Sequence, residues 1–166
     1  MDVLLAFPAL LLAIAIVTVL GEGLINALLA IGIVSIPAYA RVARASVLTV
    51  KEWDFVMADR ATGVPPGRIL SRSILPHTLT PLIVQGTLGI ATAILDAAAL
   101  SFLGLGVPPP APTWGGMLSG SGRTYMFQGP WLALAPGLCL TVVVYATNMF
   151  GDALRDLLDP RMRGSR

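Results

Sequence analysis

The stretch Glu52–Pro76, EWDFVMADRATGVPPGRILSRSILP, decides how this chain is read. It is the only long polar, charged segment between two strongly apolar halves. A chain that crosses a membrane several times and carries one charged internal loop of this kind presents that loop to a soluble partner. The function is therefore expected to sit there.

Composition points the same way. The 166 residues are 55% hydrophobic and 12% charged, whereas a soluble domain carries about 25% charged residues. The shortfall marks a membrane protein before any motif is considered. A net charge of +2 is too small to suggest a nucleic-acid partner. The lone Cys139 lies in an apolar run and reads as a small buried residue, not as part of a disulfide or metal cluster.

Spans are expected at about residues 3–20, 24–40, 74–95 and 130–151, since about 20 apolar residues at about 1.5 Å each cross the hydrocarbon core. Gly21-Glu22-Gly23 alone separates the first two, so they read as a hairpin. Pro8, Pro37, Pro81 and Pro136 fall inside these runs, where membrane helices tolerate proline. The loop 41–73 holds Arg41, Arg44, Lys51, Arg60, Arg68 and Arg72, and the tail holds Arg155, Arg161, Arg163 and Arg166. The loop 101–129 has only Arg123. The excess of basic residues makes loop 41–73, Met1 and the C-terminus cytoplasmic, and turns the Gly21–Gly23 turn and loop 101–129 outward. With only Met1 and Asp2 before the first apolar run, a cleaved signal peptide is not expected.

Within the loop, residues 49–62 read as a short helix. Trp53, Val56 and Met57 make its apolar face, and Glu52, Asp54, Asp59 and Arg60 supply the polar remainder. Gly63 is its expected end, and Pro65-Pro66 prevents continuation. A basic stretch, Arg68–Arg72, then leads to Ile74-Leu75-Pro76 at the membrane surface. Such a helix either transmits force between a soluble partner and two spans or lies on lipid. Both readings stay open on the residues alone.

The third span carries Thr78, Gln85 and Thr92 at seven-residue spacing, with Asp96 following, and these share one face at about 100° per residue. The last span places Thr141, Tyr145, Asn148 and Asp152 on one face. Gln85, Thr92, Asp96 and Asn148 are candidate pathway-lining residues, the alternative being hydrogen bonds between helices. Asp96 is the best candidate for a charge that meets solute. The single His77, with no Cys or Glu cluster around it, reads as an interfacial polar residue and not a metal ligand. The outer loop, with Pro108-Pro109-Pro110, Pro112 and Trp114-Gly115-Gly116, is expected to pack over the outer mouth. An intramembrane enzyme is not expected. Ser101 and Ser119 lack an intramembrane His or Lys partner, and Asp96 and Asp152 belong to opposite membrane ends. No G-x-x-x-x-G-K-[ST] occurs, so no P-loop nucleotide site is expected in this sequence.

The loop resembles the EAA loop of bacterial ABC importer permeases, whose pattern is Glu-Ala-Ala, three residues, Gly, nine residues, and a hydrophobic-x-Leu-Pro end. Here the register runs Met57-Ala58-Asp59, Arg60-Ala61-Thr62, Gly63, Val64 to Arg72, and Ser73-Ile74-Leu75-Pro76. Ala58, Gly63, Leu75 and Pro76 match. Met57 replaces the Glu, Asp59 the second Ala, and Ser73 the hydrophobic residue. Either docking is altered by the missing Glu, or Asp59 supplies a compensating carboxylate, or the position is tolerant.

Further segments run in order along the chain: Asp2-Val-Leu-Leu-Ala-Phe-Pro8, Ala40-Arg41-Val-Ala-Arg44, Leu100-Ser-Phe-Leu-Gly-Leu-Gly106, Pro109–Gly115 with Trp114, and Asn148 to Arg161. With them the chain is similar to the dipeptide/oligopeptide/nickel importer permeases, the C-type subunit of the permease pair. The resemblance implies an all-α integral membrane fold. That fold is a bundle of about four transmembrane helices with a cytoplasmic coupling-loop helix, forming a single permease domain over 1–166. Family members have about six spans, so it also implies an N-terminally shortened copy or a mis-assigned start. It implies a multi-pass protein of the bacterial inner or plasma membrane, surrounded by lipid bilayer. Its partners would be a second permease, cytoplasmic ABC ATPase subunits that bind the ATP, and an extracytoplasmic solute-binding protein. Peptides or related small solutes would be the cargo, and the chain itself would hold no cofactor. The coupling residues would be Trp53, Met57, Ala58, Asp59, Gly63, Leu75 and Pro76, within the 49–76 loop. The alternative is a truncated paralogue that inserts in the membrane without coupling or transport.

Overall fold

A computed structural model describes residues 7–120 and 129–158. The expected positions at 3–6, Asp2, Arg123 and the tail from Asp159 through Arg161, Arg163 and Arg166 lie outside the described residues. All regular structure among the described residues is helical: α1 (Ala9–Leu20), α2 (Leu24–Val50), α3 (Asp54–Ala61), α4 (Pro66–Phe102), α5 (Trp114–Ser119) and α6 (Trp131–Leu158).

Helices α2, α4 and α6 are long and apolar enough to cross a membrane, while α1 is shorter, at 12 residues. Only 22%, 11% and 11% of the span windows of α2, α4 and α6 is buried inside the chain. Ile25, Leu134, Leu138 and Val142 are all exposed. Helices apolar all round need an apolar surround, here lipid or neighbouring subunits. Cys139, expected to be buried, is exposed on α6. Its apolar neighbourhood in sequence is that outer surface, not an internal core.

The expected hairpin is present. Gly21 N–H closes α1 on Val17 O at 2.8 Å, and the Asn26 side-chain amide donates to Leu20 O and Gly21 O at 3.0 Å. Carbonyls left unpaired at a helix end are thereby satisfied. Ala13 and Val17 of α1 pack with Ala27, Ala30 and Ile31 of α2 and Leu100 of α4. Small residues at such a seam let helix backbones approach closely.

Several expected boundaries move, the third and last spans also running on to Phe102 and Leu158. Helix α2 runs past Arg41 and Arg44 to Val50, and α4 begins at Pro66 instead of Ile74. Hydropathy marks the membrane, but hydrogen bonding marks the helix, and residues 41–50 contain no breaker. Pro66 is pre-organised for a first helical turn, where its missing N–H costs nothing. The segment expected as loop 41–73 is therefore non-helical only around α3. Helix α4 also runs unbroken through Pro76, which was expected to mark re-entry into the membrane. Residues Ile69–Ile74 form a π-helix within it, and the wider turn relieves the clash that Pro76 would make in a straight α-helix.

Helix α4 is central, packed against α2, α5 and α6. At the crossing with α6, a Cβ built on Gly151 would lie 3.2 Å from Thr87 Oγ1. The motif Leu100–Gly106 ends α4: Gly104 has φ 83, its N–H bonds Ser101 O at 3.1 Å, and Leu105 N–H bonds Leu100 O at 2.9 Å. This is a Schellman termination, and the two leucines that accompany it pack together in the core. The segment expected as loop 101–129 holds a further helix. It contains α5, capped by Thr113 Oγ1 accepting from Gly116 N–H at 3.0 Å, and α5 packs on α4 and α6.

Candidate functional site

The loop helix α3 follows α2 after a tight turn in which Trp53 N–H bonds Val50 O at 3.1 Å. Asp54 lies in its first turn and Arg60 in its last, each favourable to the helix dipole. Its end is a second Schellman motif. Gly63, at φ 76, donates to Arg60 O at 3.1 Å, and Val64 N–H donates to Asp59 O at 3.1 Å. Thr62 Oγ1 adds bonds to Ala58 O and Asp59 O. The sequence expectation for Gly63 as the helix end holds, because φ near +76° favours glycine.

The expected apolar face of Trp53, Val56 and Met57 divides. Val56 is fully buried, whereas Trp53 is 43% and Met57 50% exposed. Val56 enters a cluster with Val50 from the end of α2 and Ile69 and Ile74 from α4, with Val47 and Val64 alongside. Residues five apart, such as Ile69 and Ile74, would diverge around an α-helix. The i→i+5 pattern of a π-helix stacks them on one face. The π-helix is thus what lets both isoleucines meet α3.

Beside that apolar anchor lies a polar one. Ser73 Oγ donates to Asp59 Oδ2 at 2.6 Å. These are two of the positions where this chain departs from the EAA pattern, and they pair with each other. The Asp59 carboxylate is therefore engaged with α4, one turn from buried Val56. Met57, Ala58 and Ala61 are exposed on the other side of α3. Leu75 and Pro76 are exposed where the π-helix returns to α-helix.

His77 was expected to be a plain interfacial polar residue. It also packs with two aromatic rings, its centroid 5.6 Å from Trp53 and 5.1 Å from Phe55. Its Nδ1 lies 2.9 Å from Ser73 O. A carbonyl only accepts, so Nδ1 carries the proton in this contact. Sequence reading missed Phe55, Ser73 and His77 as loop-organising residues. The signal available was their clustering around the loop's two ends.

The expected pathway residues differ in burial. Thr78 is buried with its hydroxyl on Leu75 O, and Thr92 is exposed with its hydroxyl on Gly89 O. Gln85, Asp96 and Asn148 are half-buried. An open groove of about 630 Å³ lies between α2 and α4 and is lined by Ile31, Ser35, Tyr39, Leu82, Gly89 and Ala93, among others, without any of the four candidates. Tyr39 crosses α4 at Gly89, where the missing side chain makes room for its hydroxyl. No group of His, Cys, Asp and Glu among the described residues could hold a metal ion.

Comparison with known proteins adds three findings. The family model described as "Binding-protein-dependent transport system inner membrane component" matches residues 1–164. The chain is 53% identical over 162 residues to the dipeptide transport system permease protein DppC of Alkalihalophilus pseudofirmus, covering 98% of this chain and 53% of that protein. It is 52% identical over 165 residues to the di/tripeptide transport system permease protein DppC of Pseudomonas aeruginosa, covering 99% and 54%. It is 47% identical over 163 residues to the glutathione transport system permease protein GsiD of Escherichia coli O1:K1, covering 98% and 54%. The chain thus spans about half the length of the curated relatives it matches. In fold it is similar to a chain of the inward-facing MetNI methionine ABC transporter, with TM-score 0.72 and 20% identity over 95% of this chain and 72% of that one.

Proposed function

This chain belongs to the family of binding-protein-dependent transport system inner membrane components, and we propose from that premise that it is a membrane-spanning permease subunit of an ATP-driven importer for peptides or related small solutes. It forms the translocation path with a second permease. It couples to cytoplasmic ABC ATPase subunits through the loop that carries α3. The ATP is bound by those subunits, and an extracytoplasmic solute-binding protein delivers the cargo on the other side. Gln85, Thr92, Asp96 and Asn148 line the path from different helices, completed by the second permease.

One observation carries the coupling assignment. Helix α3 is fixed to α4 by Val56 and Asp59 while it turns Met57, Ala58 and Ala61 outward. A helix so held offers a partner one face and passes its movement to a span through the other. Helix α2 continues ten residues beyond Ala40, the end of its expected apolar run, about 15 Å at 1.5 Å per residue. That distance supports α3 standing beyond the hydrocarbon, within reach of a soluble protein, over α3 lying on lipid. Arg60 within it and Arg44, Lys51, Arg68 and Arg72 on either side support a cytoplasmic face, with Met1 and the C-terminus on that side. The names of the relatives support a transporting subunit over a paralogue that inserts without coupling.

The test is a pull-down of the tagged chain from detergent-solubilised membranes, reading out a co-purifying ATPase and a second permease. Capture of both, with the ATPase lost on Gly63→Pro, is expected. Recovery of the inserted chain alone would overturn the proposal.

A further inference from the structure

We propose that Asp59 and Ser73 act as a matched pair of positioning residues, a polar clasp that makes α3 and the first turns of α4 move as one body. The proposal deepens the coupling role just assigned and rests on it for its functional consequence. Its structural part stands on the loop alone.

Helix α3 has eight residues, far fewer than an isolated helix needs to persist in water. Tertiary contacts must therefore hold it. Val56 is its buried side chain, and one apolar anchor lets a short helix pivot about that point. Asp59 sits three residues on, on the same side of the helix, and its carboxylate accepts from Ser73 Oγ at 2.6 Å. Two anchors on one face fix the direction of the helix axis as well as its position.

Ser73 extends the link to the other end of α3. Its carbonyl accepts from His77 Nδ1 at 2.9 Å. The His77 ring then packs on Trp53 and Phe55, at the N-terminus of α3. One residue of the π-helix thus connects to both ends of α3, through its hydroxyl to one and through its carbonyl to the other. A push on Met57, Ala58 and Ala61 is transmitted to α4 at both ends.

The pairing also bears on the departures from the EAA pattern. An alanine opposite a hydrophobic residue is a self-consistent contact, and so is a carboxylate opposite a hydroxyl. The mixed combinations are not, because each leaves a polar group facing an apolar one. The two departures are therefore specified together.

The test compares Asp59→Ala, Ser73→Ile and the double variant in the full chain, with Asp59→Asn as the conservative change. The first measurement is hydrogen exchange of the α3 amides in lipid nanodiscs. Each single change to an apolar residue is expected to speed exchange roughly tenfold, the worth of a charge-assisted hydrogen bond. Asp59→Asn keeps an acceptor and is expected to stay near the wild type. The double variant is expected to recover most of the protection lost by Ser73→Ile. Unchanged exchange in the single variants, or additive losses in the double, would overturn the pairing. The second measurement is solute-stimulated ATP hydrolysis by the complex co-purified with each variant. Stimulation is expected to fall in the singles and return in the double at equal ATPase content. Equal stimulation in all variants would overturn the positioning role. A wild-type complex without any stimulation, together with the expected exchange pattern, would instead overturn the importer reading and leave the clasp standing.

Discussion

Gly115 of α5 lies against the backbone of Ala98 in α4, so closely that a methyl group on Gly115 would overlap the Ala98 carbonyl. The neighbour is main chain in the last turns of a long helix, so it cannot turn aside as a flexible side chain could. Gly115→Ala is therefore expected to destabilise the protein by about 1–3 kcal/mol, the usual cost of overpacking. The loss should appear as a lower melting temperature in detergent and faster proteolysis within the outer loop. Gly67→Ala is the control. A Cβ there meets nothing within 4 Å, and its effect is expected to stay within about 0.5 kcal/mol. Equal effects of the two substitutions would mean that α5 is not docked as described.

Val56 and Met57 are adjacent in sequence and opposite in consequence. Val56 is fully buried and Met57 half exposed. Val56→Ala removes two methyl groups from the cluster with Val50, Ile69 and Ile74, which costs about 2 kcal/mol with the cavity included. The loss should be local, read as faster hydrogen exchange in α3 with the spans unchanged. Met57→Ala should leave exchange unaltered and weaken capture of the ATPase. Reversal of these two outcomes would place the docking face on the wrong side of α3.

The contrast shows what the sequence could and could not disclose. The long apolar runs, the Gly21–Gly23 break and the Gly63 helix end were legible, because each depends on composition or on local backbone chemistry. Span ends were legible only as membrane limits: nothing in hydropathy says that α2 continues through Arg44 or that α4 starts at Pro66. The inward set of α3 was half legible. Helical spacing groups Trp53, Val56 and Met57, but a small loop has room to bury one of them, and Val56 fits between Ile69 and Ile74. That pair is itself spaced for a π-helix, which a search at helical or strand period passes over. The Asp59–Ser73 bond joins residues fourteen apart across a turn, and such a contact exists only once the turn is built. The polar stripe on α4 spans buried, half-buried and exposed positions. Thr78 and Thr92 each satisfy their hydroxyl on their own helix backbone, so their polarity does not demand a common partner.

Gly63 supports a prediction graded by backbone chemistry. Its φ of 76 lies in a region that costs an L-residue roughly 1–2 kcal/mol. Gly63→Asn should be tolerated best, Gly63→Ala should cost about 1 kcal/mol, and Gly63→Pro about 3 kcal/mol or more. Proline also removes the N–H that bonds Arg60 O. The measurement is protease cleavage within the 51–65 segment at rising temperature. A flat series, with alanine and proline equal to glycine, would show that the loop does not need this turn.

Met57 allows the altered motif to be tested directly. The carboxylate of Asp59 is occupied by Ser73, so an acidic group at position 57 would be a new one on the outer face, not a duplicate. Met57 is 50% exposed, and a glutamate there can keep its charge in water, so the effect on stability should stay within about 0.5 kcal/mol. If a carboxylate at this position contributes to docking, Met57→Glu should increase the amount of ATPase recovered with the tagged chain, and Met57→Lys should reduce it. The gain should shrink as salt is raised, because an exposed charge pair is screened over about 10 Å at 0.1 M ionic strength. Unchanged recovery for both variants would show that the partner reads the shape of α3 at this position and not its charge. The methionine would then be an equivalent residue, and the docking of this chain would rest on Ala58, Ala61 and the orientation that Val56 and Asp59 impose.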